Sequence, residues 1–252
     1  MTTAIASETV IFYFLVLCRI GGCLMFMPGF SSARVPAQIR MLLAIAVTLA
    51  LAPVLIPVVK EAVGAMGEAM PMRLMMTEIT IGALIGLMGR CFYMALEFMG
   101  TAIASSIGFG NLPGVPIEHT DPIPALSSLL TLTATVLFFI TDQHWEVMRG
   151  LIASYKVMPI DQKFAADLNL AQLTDALTET FTLTMQISSP FIVYAIAINF
   201  LFGIVNKLTP QIAVYFISVP FVLVGGLLLL YLTVADFMRL FSAGFMDWLA
   251  NG

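Results

Sequence analysis

Two long runs without a charged side chain dominate the pattern of hydrophobic and polar positions toward the C-terminus. One covers the 27 residues from Thr180 to Asn206, the other covers the 28 residues from Leu208 to Ala235, and only Lys207 separates them. Each run is longer than the roughly 20 apolar residues that a helix needs to cross a bilayer. The pattern therefore predicts a membrane protein that crosses the bilayer more than once.

Six stretches of the chain are long and apolar enough to be candidate membrane spans. They lie near Val10–Met27, Met41–Val59, Leu74–Phe98, Pro122–Thr141, Phe181–Val205 and Ile212–Val234. Pro190 and Pro220 fall inside the last two stretches, where proline is expected to kink a helix. We expect an all-α integral membrane protein in which about six long, kinked helices form a single membrane domain over residues 1–252.

Two short breaks between apolar stretches predict helical hairpins. The segment Pro28–Pro36 contains Pro and Gly and joins the first two stretches, with Arg34 and Arg40 near the start of the second. The segment Asn206–Gln211 joins the last two, and Pro210 is well placed to open the following helix. These two hairpins cover residues 10–59 and 180–235, and a third predicted hairpin, residues 74–141, contains the Gly- and Pro-rich segment 108–124.

The longest polar connection, residues 142–179, carries apolar residues at helical spacing. These residues are Trp145, Met148, Ile152 and Tyr155, followed by Leu170, Leu173, Leu177 and Phe181. The spacing predicts two partly amphipathic helices, the second N-capped by Asn169 and continuing without a break into the fifth apolar stretch. One long helix would then be partly exposed to water and partly buried in the membrane or against protein.

Composition agrees with a membrane location. The chain is 60% apolar and 10% charged, with a mean hydropathy of +1.00, whereas soluble domains are nearly half apolar and about a quarter charged. The net charge of -4 is small and spread along the chain, so nothing indicates nucleic acid as a partner. Lys and Arg are distributed too evenly over alternate loops to orient the helices, and the topology stays open.

The sequence contains no residue constellation typical of an enzyme, a cofactor site or a metal site. It has two histidines, His119 and His144, without a His-Glu-x-x-His or Walker motif, and Gly108–Asn111 lacks the spacing of a dinucleotide loop. The three cysteines lie in apolar surroundings and form no Cys-x-x-Cys pair. We predict a non-enzymatic protein without a cofactor or a metal ion.

The segment from Gly108 to Pro124 is the most unusual part of the chain, because seven of its seventeen residues are Gly or Pro. Irregular backbone at membrane depth is tolerated only where protein buries it or a water-filled cavity receives it. Two interpretations stay open, a plug in a pore and an ordinary interhelical turn with an apolar exterior. The candidate plug residues are Gly108, Phe109, Gly110, Asn111, Leu112, Pro113 and Gly114.

Four charged residues, Arg19, Glu78, Arg90 and Glu97, fall inside apolar stretches. An ionised group is costly there unless it is paired or faces a polar cavity. Arg90 and Glu97 share a helix face but are too far apart for an i,i+4 ion pair. We expect the four charges to point inward or toward a partner, with a role in assembly, and a proton relay is the alternative.

Small residues cluster within three of the apolar stretches. The glycines are Gly21, Gly22, Gly82, Gly86, Gly89, Gly225 and Gly226. Such positions let helix backbones approach closely in lipid. They predict tight helix packing, within this chain or with another.

Several short motifs, taken in order along almost the whole chain, resemble the FliR family of flagellar export-gate proteins. They are Arg19 with Pro28, Arg34-Val35-Pro36 with Arg40, Phe138-Phe139 followed by His144, Ser154-Tyr155 with Pro159, and Gly203–Gln211 followed by an apolar helix containing Pro220. The resemblance implies a non-enzymatic subunit of the type III secretion export gate, the channel through which unfolded flagellar proteins leave the cytoplasm. It implies the FliP/FliQ/FliR fold, a helical assembly of hairpins that rises partly out of the bilayer.

The same resemblance implies partners, a location and site residues. FliP-like, FliQ-like and FlhB-like subunits are expected in the inner membrane, within the flagellar basal body. In the family, the loop between the third and fourth apolar stretches closes the pore, and Gly108–Pro124 holds that place here, with Phe109 and Leu112 as candidate seals. Two alternatives remain, the equivalent subunit of a virulence injectisome and a stand-alone secondary transporter. The turn expected to contact partners, unless it is an ordinary hairpin turn, contains Asn206, Lys207, Pro210 and Gln211.

Overall fold

A computed structural model describes residues 2–32, 34–64, 71–110, 123–160, 166–209 and 214–251. In this part of the chain the secondary structure consists of seven α-helices, which confirms the predicted all-α class. The helices are α1 Thr2–Phe26, α2 Ala37–Gly64, α3 Pro71–Ser106, α4 Ala125–Ile140, α5 Gln143–Val157, α6 Ala166–Leu208 and α7 Val214–Asn251.

Five of these helices, α1, α2, α3, α6 and α7, are long and apolar enough to cross a bilayer. The predicted fourth span is different, because α4 has only 16 residues and is therefore about 24 Å long, short of the roughly 30 Å hydrocarbon core. A bend of 71° separates α4 from α5. Taken together, the two helices are long and apolar enough to form one broken membrane span. The count is thus five spans, or six with the bent pair, in agreement with the prediction of about six.

The region predicted as a partly amphipathic connection forms α5 and the first part of α6. A single helix of 43 residues runs from this region into the fifth apolar stretch, as predicted. Asn169 lies inside α6 instead of capping it, because the helix already begins at Ala166. Pro190 and Pro220 lie within α6 and α7.

The buried face of α5 is offset from the one that the apolar spacing predicts. The structure buries Gln143, Val147, Leu151 and Tyr155, whereas Trp145 is 59% exposed. The buried row includes the polar Gln143 and shares only Tyr155 with the apolar spacing, of which Met148 and Ile152 are half-buried. Which row is most buried depends on the neighbouring helices.

The described residues divide into two compact units, and the first comprises residues 1–91, 139–177 and 248–252. In this unit α1 packs against α2, which confirms the first predicted hairpin. Gly29 has a positive φ of 83° in the connecting turn, a conformation that favours glycine. The Arg40 side chain donates hydrogen bonds to the carbonyl oxygens of Ser32 and Val35, at 3.3 and 3.0 Å, and so fastens the turn to the start of α2.

The second unit comprises residues 92–138 and 178–247. Its α6 and α7 contact each other where the Tyr194 hydroxyl donates to the carbonyl oxygen of Val222 at 2.9 Å. Its α3 and α4 approach closely at Gly100, and the Ser127 hydroxyl there donates to the Glu97 carbonyl oxygen at 2.8 Å. The core of this unit includes the clustered aromatic rings of Phe92, Tyr93, Phe138, Phe241 and Phe245.

Candidate functional site: a buried ionic cluster

Arg19 in α1 and Glu78 in α3 form an ion pair inside the first unit. Two hydrogen bonds of 2.7 Å join them, one from Nε of Arg19 to Oε2 of Glu78 and one from Nη2 to Oε1. Both side chains are 0% exposed. Parallel hydrogen bonds between a guanidinium and a carboxylate are among the stronger side-chain interactions. Each buried charge is therefore directly neutralised by the other.

Among the described residues, the other hydrogen bonds of the Arg19 side chain go to the end of α5. Its Nη1 donates to Oγ of Ser154 at 3.1 Å, and its Nη2 donates to the carbonyl oxygen of Met158 at 3.0 Å. The guanidinium carbon lies 3.8 Å from the centre of the Tyr155 ring, which is the geometry of a cation–π contact. We call these five residues, Arg19, Glu78, Ser154, Tyr155 and Met158, the ionic cluster.

The hydroxyl group of Tyr155 is a further polar part of the cluster. It is buried and close to the Glu78 carboxylate, yet it makes no hydrogen bond of good geometry among the described residues. The ring, by contrast, is held by its contact with the guanidinium. Tyr155 therefore places its aromatic face against Arg19 and its hydroxyl group beside the Glu78 carboxylate.

Glycines bring the α1 and α3 backbones close enough for this pairing. Gly22 lies near one helical turn beyond Arg19, and a Cβ atom placed there would be 2.7 Å from the Ile79 carbonyl oxygen. A Cβ atom at Gly82 would collide with the Arg19 backbone, and one at Gly86 would collide with the Cys23 carbonyl oxygen. This small-residue surface confirms the predicted tight helix packing and allows the short Glu78 side chain to reach Arg19.

The cluster has the chemistry of a structural element. A guanidinium remains protonated in proteins, and here the paired carboxylate accepts two of its hydrogen bonds. The described residues also contain no group of three or more His, Cys, Asp or Glu side chains placed to hold a metal ion. The arrangement can therefore join helices, and its geometry does not indicate a reaction.

The other two predicted buried charges lie elsewhere on α3. Arg90 and Glu97 are both half-buried, and both take part in further interactions. The backbone carbonyl of Glu97 accepts hydrogen bonds from the hydroxyl groups of Thr101 and Ser127. Of the four charges, Arg19 and Glu78 thus form an ion pair with each other.

The predicted plug loop begins with a helix cap. Gly108 has a φ of 83°, and the N–H groups of Gly108 and Phe109 return to the carbonyl oxygens of Ser105 and Ala104 at 3.3 and 2.7 Å. This is a common glycine-containing end of an α-helix. Gly110 follows it and contacts Ser105. The remaining candidate plug residues, Asn111, Leu112, Pro113 and Gly114, lie outside the described part of the chain.

The predicted assembly turn begins at the end of α6. Asn206 and Lys207 lie in its last turn and are exposed. A lysine at this position also suits the negative end of the helix dipole. Pro210 and Gln211 lie outside the described residues.

Comparison with known proteins places this architecture in a family. The model of a family described as bacterial export proteins, family 1, matches residues 10–248. The chain belongs to this family, the FliR family. The match covers both compact units and all five residues of the ionic cluster, and it confirms the resemblance found in the sequence motifs.

Three FliR relatives illustrate the extent of the similarity, and each is called flagellar biosynthetic protein FliR. The protein of Caulobacter vibrioides is 25% identical over 240 residues, covering 93% of either chain. That of Aquifex aeolicus is 27% identical over 98% of this chain and 95% of its own. That of Escherichia coli is 24% identical over 86% of this chain and 82% of its own. A FliR-family chain is an export protein, which confirms the prediction that it is not an enzyme.

Sequence reasoning about this FliR-family chain missed the α5 side of the cluster. It identified Arg19 and Glu78 as separate buried charges, and it noted Ser154 only in a motif and Tyr155 in that motif and in the apolar spacing of the α5 region. The available signal was the arginine itself, because a guanidinium has five N–H donors and one carboxylate cannot satisfy them all. Nothing in the spacing shows that the end of α5, some 135 residues later, supplies the rest.

Proposed function

We propose that the protein is a structural, pore-forming component of the flagellar type III secretion export gate, built as a single membrane domain. In this role it conducts unfolded flagellar proteins across the bacterial inner membrane within the basal body. The observation that carries the proposal is the family match over residues 10–248, together with relatives of matching length named for flagellar biosynthesis. The five or six candidate membrane spans support the location.

We further propose FliP-like, FliQ-like and FlhB-like subunits as partners in the bilayer. The second unit leaves broad apolar faces of α6 and α7 uncovered, which suits contact with lipid or with other membrane subunits. Large exposed apolar residues on these faces include Val193, Ile196, Phe200, Phe221, Val224 and Leu228. The half-buried charges Arg90 and Glu97, and the turn from Asn206 to Gln211, are proposed contacts for assembly.

The loop that follows α3 is proposed as the plug of the pore. The glycine cap at Gly108 ends α3, so the chain leaves the helix immediately before the Pro- and Gly-rich segment. Phe109 and Leu112 are the proposed sealing residues, because apolar side chains exclude water and ions from a narrow pore. The fully buried Arg19–Glu78 pair supports assembly indirectly in this proposal, by holding helices of the first unit together.

The proposal is tested in the bacterium that makes the protein. We expect deletion of its gene to abolish flagellar filaments and the export of hook and filament proteins, and a tagged wild-type copy to restore both. Native mass spectrometry of the gently extracted tagged protein is expected to reveal FliP-like and FliQ-like chains. Normal filaments with loss of another secreted substrate would indicate an injectisome subunit instead. A monomer or homodimer lacking those chains would contradict the gate and favour a solitary transporter.

A further inference from the structure

The end of α5 receives its cap from a different helix. The last carbonyl groups of an α-helix have no donor within the helix and must be satisfied from outside. In α5, which ends at Val157, the C-cap residue is Met158, and its N–H returns to the Ser154 carbonyl oxygen. Its own carbonyl oxygen accepts a hydrogen bond of 3.0 Å from Arg19 of α1. Arg19 therefore supplies a donor to the C-cap of α5 from another helix.

The same guanidinium contacts two further groups in the last turn of α5. It donates to Oγ of Ser154, whose hydroxyl in turn donates to the Leu151 carbonyl oxygen at 2.7 Å. It also lies against the ring of Tyr155. A positive charge at this end of a helix is favourable, because the carbonyl groups there carry a partial negative charge. Three separate contacts thus converge on one helical turn.

Glu78 makes it possible to bury this cation. An unpaired charge inside a protein is costly, but the carboxylate of Glu78 neutralises Arg19 through two bonds while leaving Nη1 and part of Nη2 free for α5. The planar guanidinium donates hydrogen bonds to all these acceptors at the same time. A lysine ammonium group at the same position has no planar, five-donor fork and does not match this arrangement.

We propose that Arg19 is a positioning residue that fixes the last turn of α5 to α1 and α3, with Glu78 as its permanent counterion. The pair then connects three helices inside the first unit. Its atoms are occupied within the chain, so it serves neither as a direct contact for a partner subunit nor as a proton relay. The inference depends only on the cluster geometry, and it stands or falls independently of the proposed role in export.

Hydrogen–deuterium exchange of the full chain in detergent tests this inference. In Arg19→Lys we expect amide protection in the last turn of α5 to fall roughly 5- to 30-fold, the factor that corresponds to one or two kcal/mol. Amides of α1 and α3 should keep their protection. The matched control is Arg149→Lys, on the exposed side of the same helix, where the arginine forms an i,i+3 ion pair with Glu146, and it should leave the α5 pattern unchanged. Unchanged protection of the last turn of α5 in Arg19→Lys would overturn the inference.

Two double variants separate capping from simple charge pairing. Arg19→Met with Glu78→Met removes both charges without leaving one buried alone, and we expect a folded protein that loses protection only at the end of α5. Arg19→Glu with Glu78→Arg restores an ion pair but moves the donors to α3, so the end of α5 should remain unprotected. Wild-type protection in the exchanged pair, or an equal loss over α1, α3 and α5 in the methionine pair, would contradict a positioning role.

Discussion

The contact between α1 and α3 requires glycine at Gly82, because a larger side chain would not fit there. At Gly82 the α-carbon lies against the Arg19 backbone, so a methyl group there would collide with main-chain atoms. At Gly21, in contrast, an added Cβ atom would meet nothing within 4 Å. Because main-chain atoms cannot rotate away as a side chain does, the first site has no room for adjustment and the second has ample room.

We therefore expect opposite effects from two identical substitutions. Gly82→Ala should lower the free energy of unfolding by about 1–3 kcal/mol through overpacking, and it should also disturb the adjacent ionic cluster. Gly21→Ala should be neutral or stabilising by up to about 1 kcal/mol, because alanine favours helix. Unfolding of the purified protein in mixed detergent micelles measures both. Equal stability of the two variants would show that the helices do not meet at Gly82.

At the scale of elements, the end of α3 separates residues that cap the helix from residues of the proposed plug. Gly108 belongs to the helix cap, as its positive φ and the backbone hydrogen bonds of residues 108 and 109 show. A loop deletion that includes Gly108 would damage α3 as well as the proposed plug. A deletion that begins at Asn111 keeps the cap and removes Leu112, one of the two proposed sealing residues.

Deleting Asn111–Pro116 should make assembled gates leak small ions, because the pore would lose apolar residues that exclude water. Conductance of the purified gate in planar bilayers is the measurement. The control is a deletion of equal length in another connection, residues 65–70, which should leave conductance unchanged. A gate that assembles normally and stays closed without residues 111–116 would contradict the plug proposal.

At the scale of the whole molecule, the longest helices exceed what a bilayer needs. The apolar part of α7, Ile217–Leu249, has 33 residues and is about 50 Å long, against a hydrocarbon core of roughly 30 Å. Its charged residues, Asp236, Arg239 and Asp247, all lie in the second half. We infer that the uncharged first half occupies the hydrocarbon region and that the charged end extends beyond it.

This placement predicts that an added charge has different effects along α7. Leu228→Arg puts a guanidinium on an exposed apolar face, where Leu228 is 58% exposed, at a cost of roughly 2.5–3.5 kcal/mol near the bilayer centre. We expect a clear loss of membrane-inserted protein. Met246→Arg, at a 37% exposed site beside Asp247, should insert normally. Quantitative blotting of carbonate-washed membranes distinguishes them, and equal insertion would show that the first half of α7 is not in the hydrocarbon region.

Much of the architecture was predictable because long apolar runs have few solutions in a membrane. A helix satisfies its own backbone hydrogen bonds, so the uncharged runs near Thr180–Asn206 and Leu208–Ala235 predicted helices, which α6 and α7 confirm over the residues that the structure describes. The continuous helix across residues 166–208 was also predictable, because apolar residues recur at helical spacing from Leu170 into the fifth apolar stretch. The pattern did not show which face of α5 is buried, or that the fourth apolar stretch belongs to a pair of helices, α4 and α5, bent by 71°.

The sequence by itself determined the membrane class, the all-helical fold, the first hairpin, the glycine-rich packing and the family. It also marked Arg19 and Glu78 as buried charges that needed partners. Only the tertiary structure decided that they are partners of each other, that the end of α5 completes their contacts, and that Gly108 caps α3. Local patterns determine helices because helical hydrogen bonds join near neighbours in sequence, whereas the partners of a buried arginine lie 59 and 135 residues away and are set by how the helices pack.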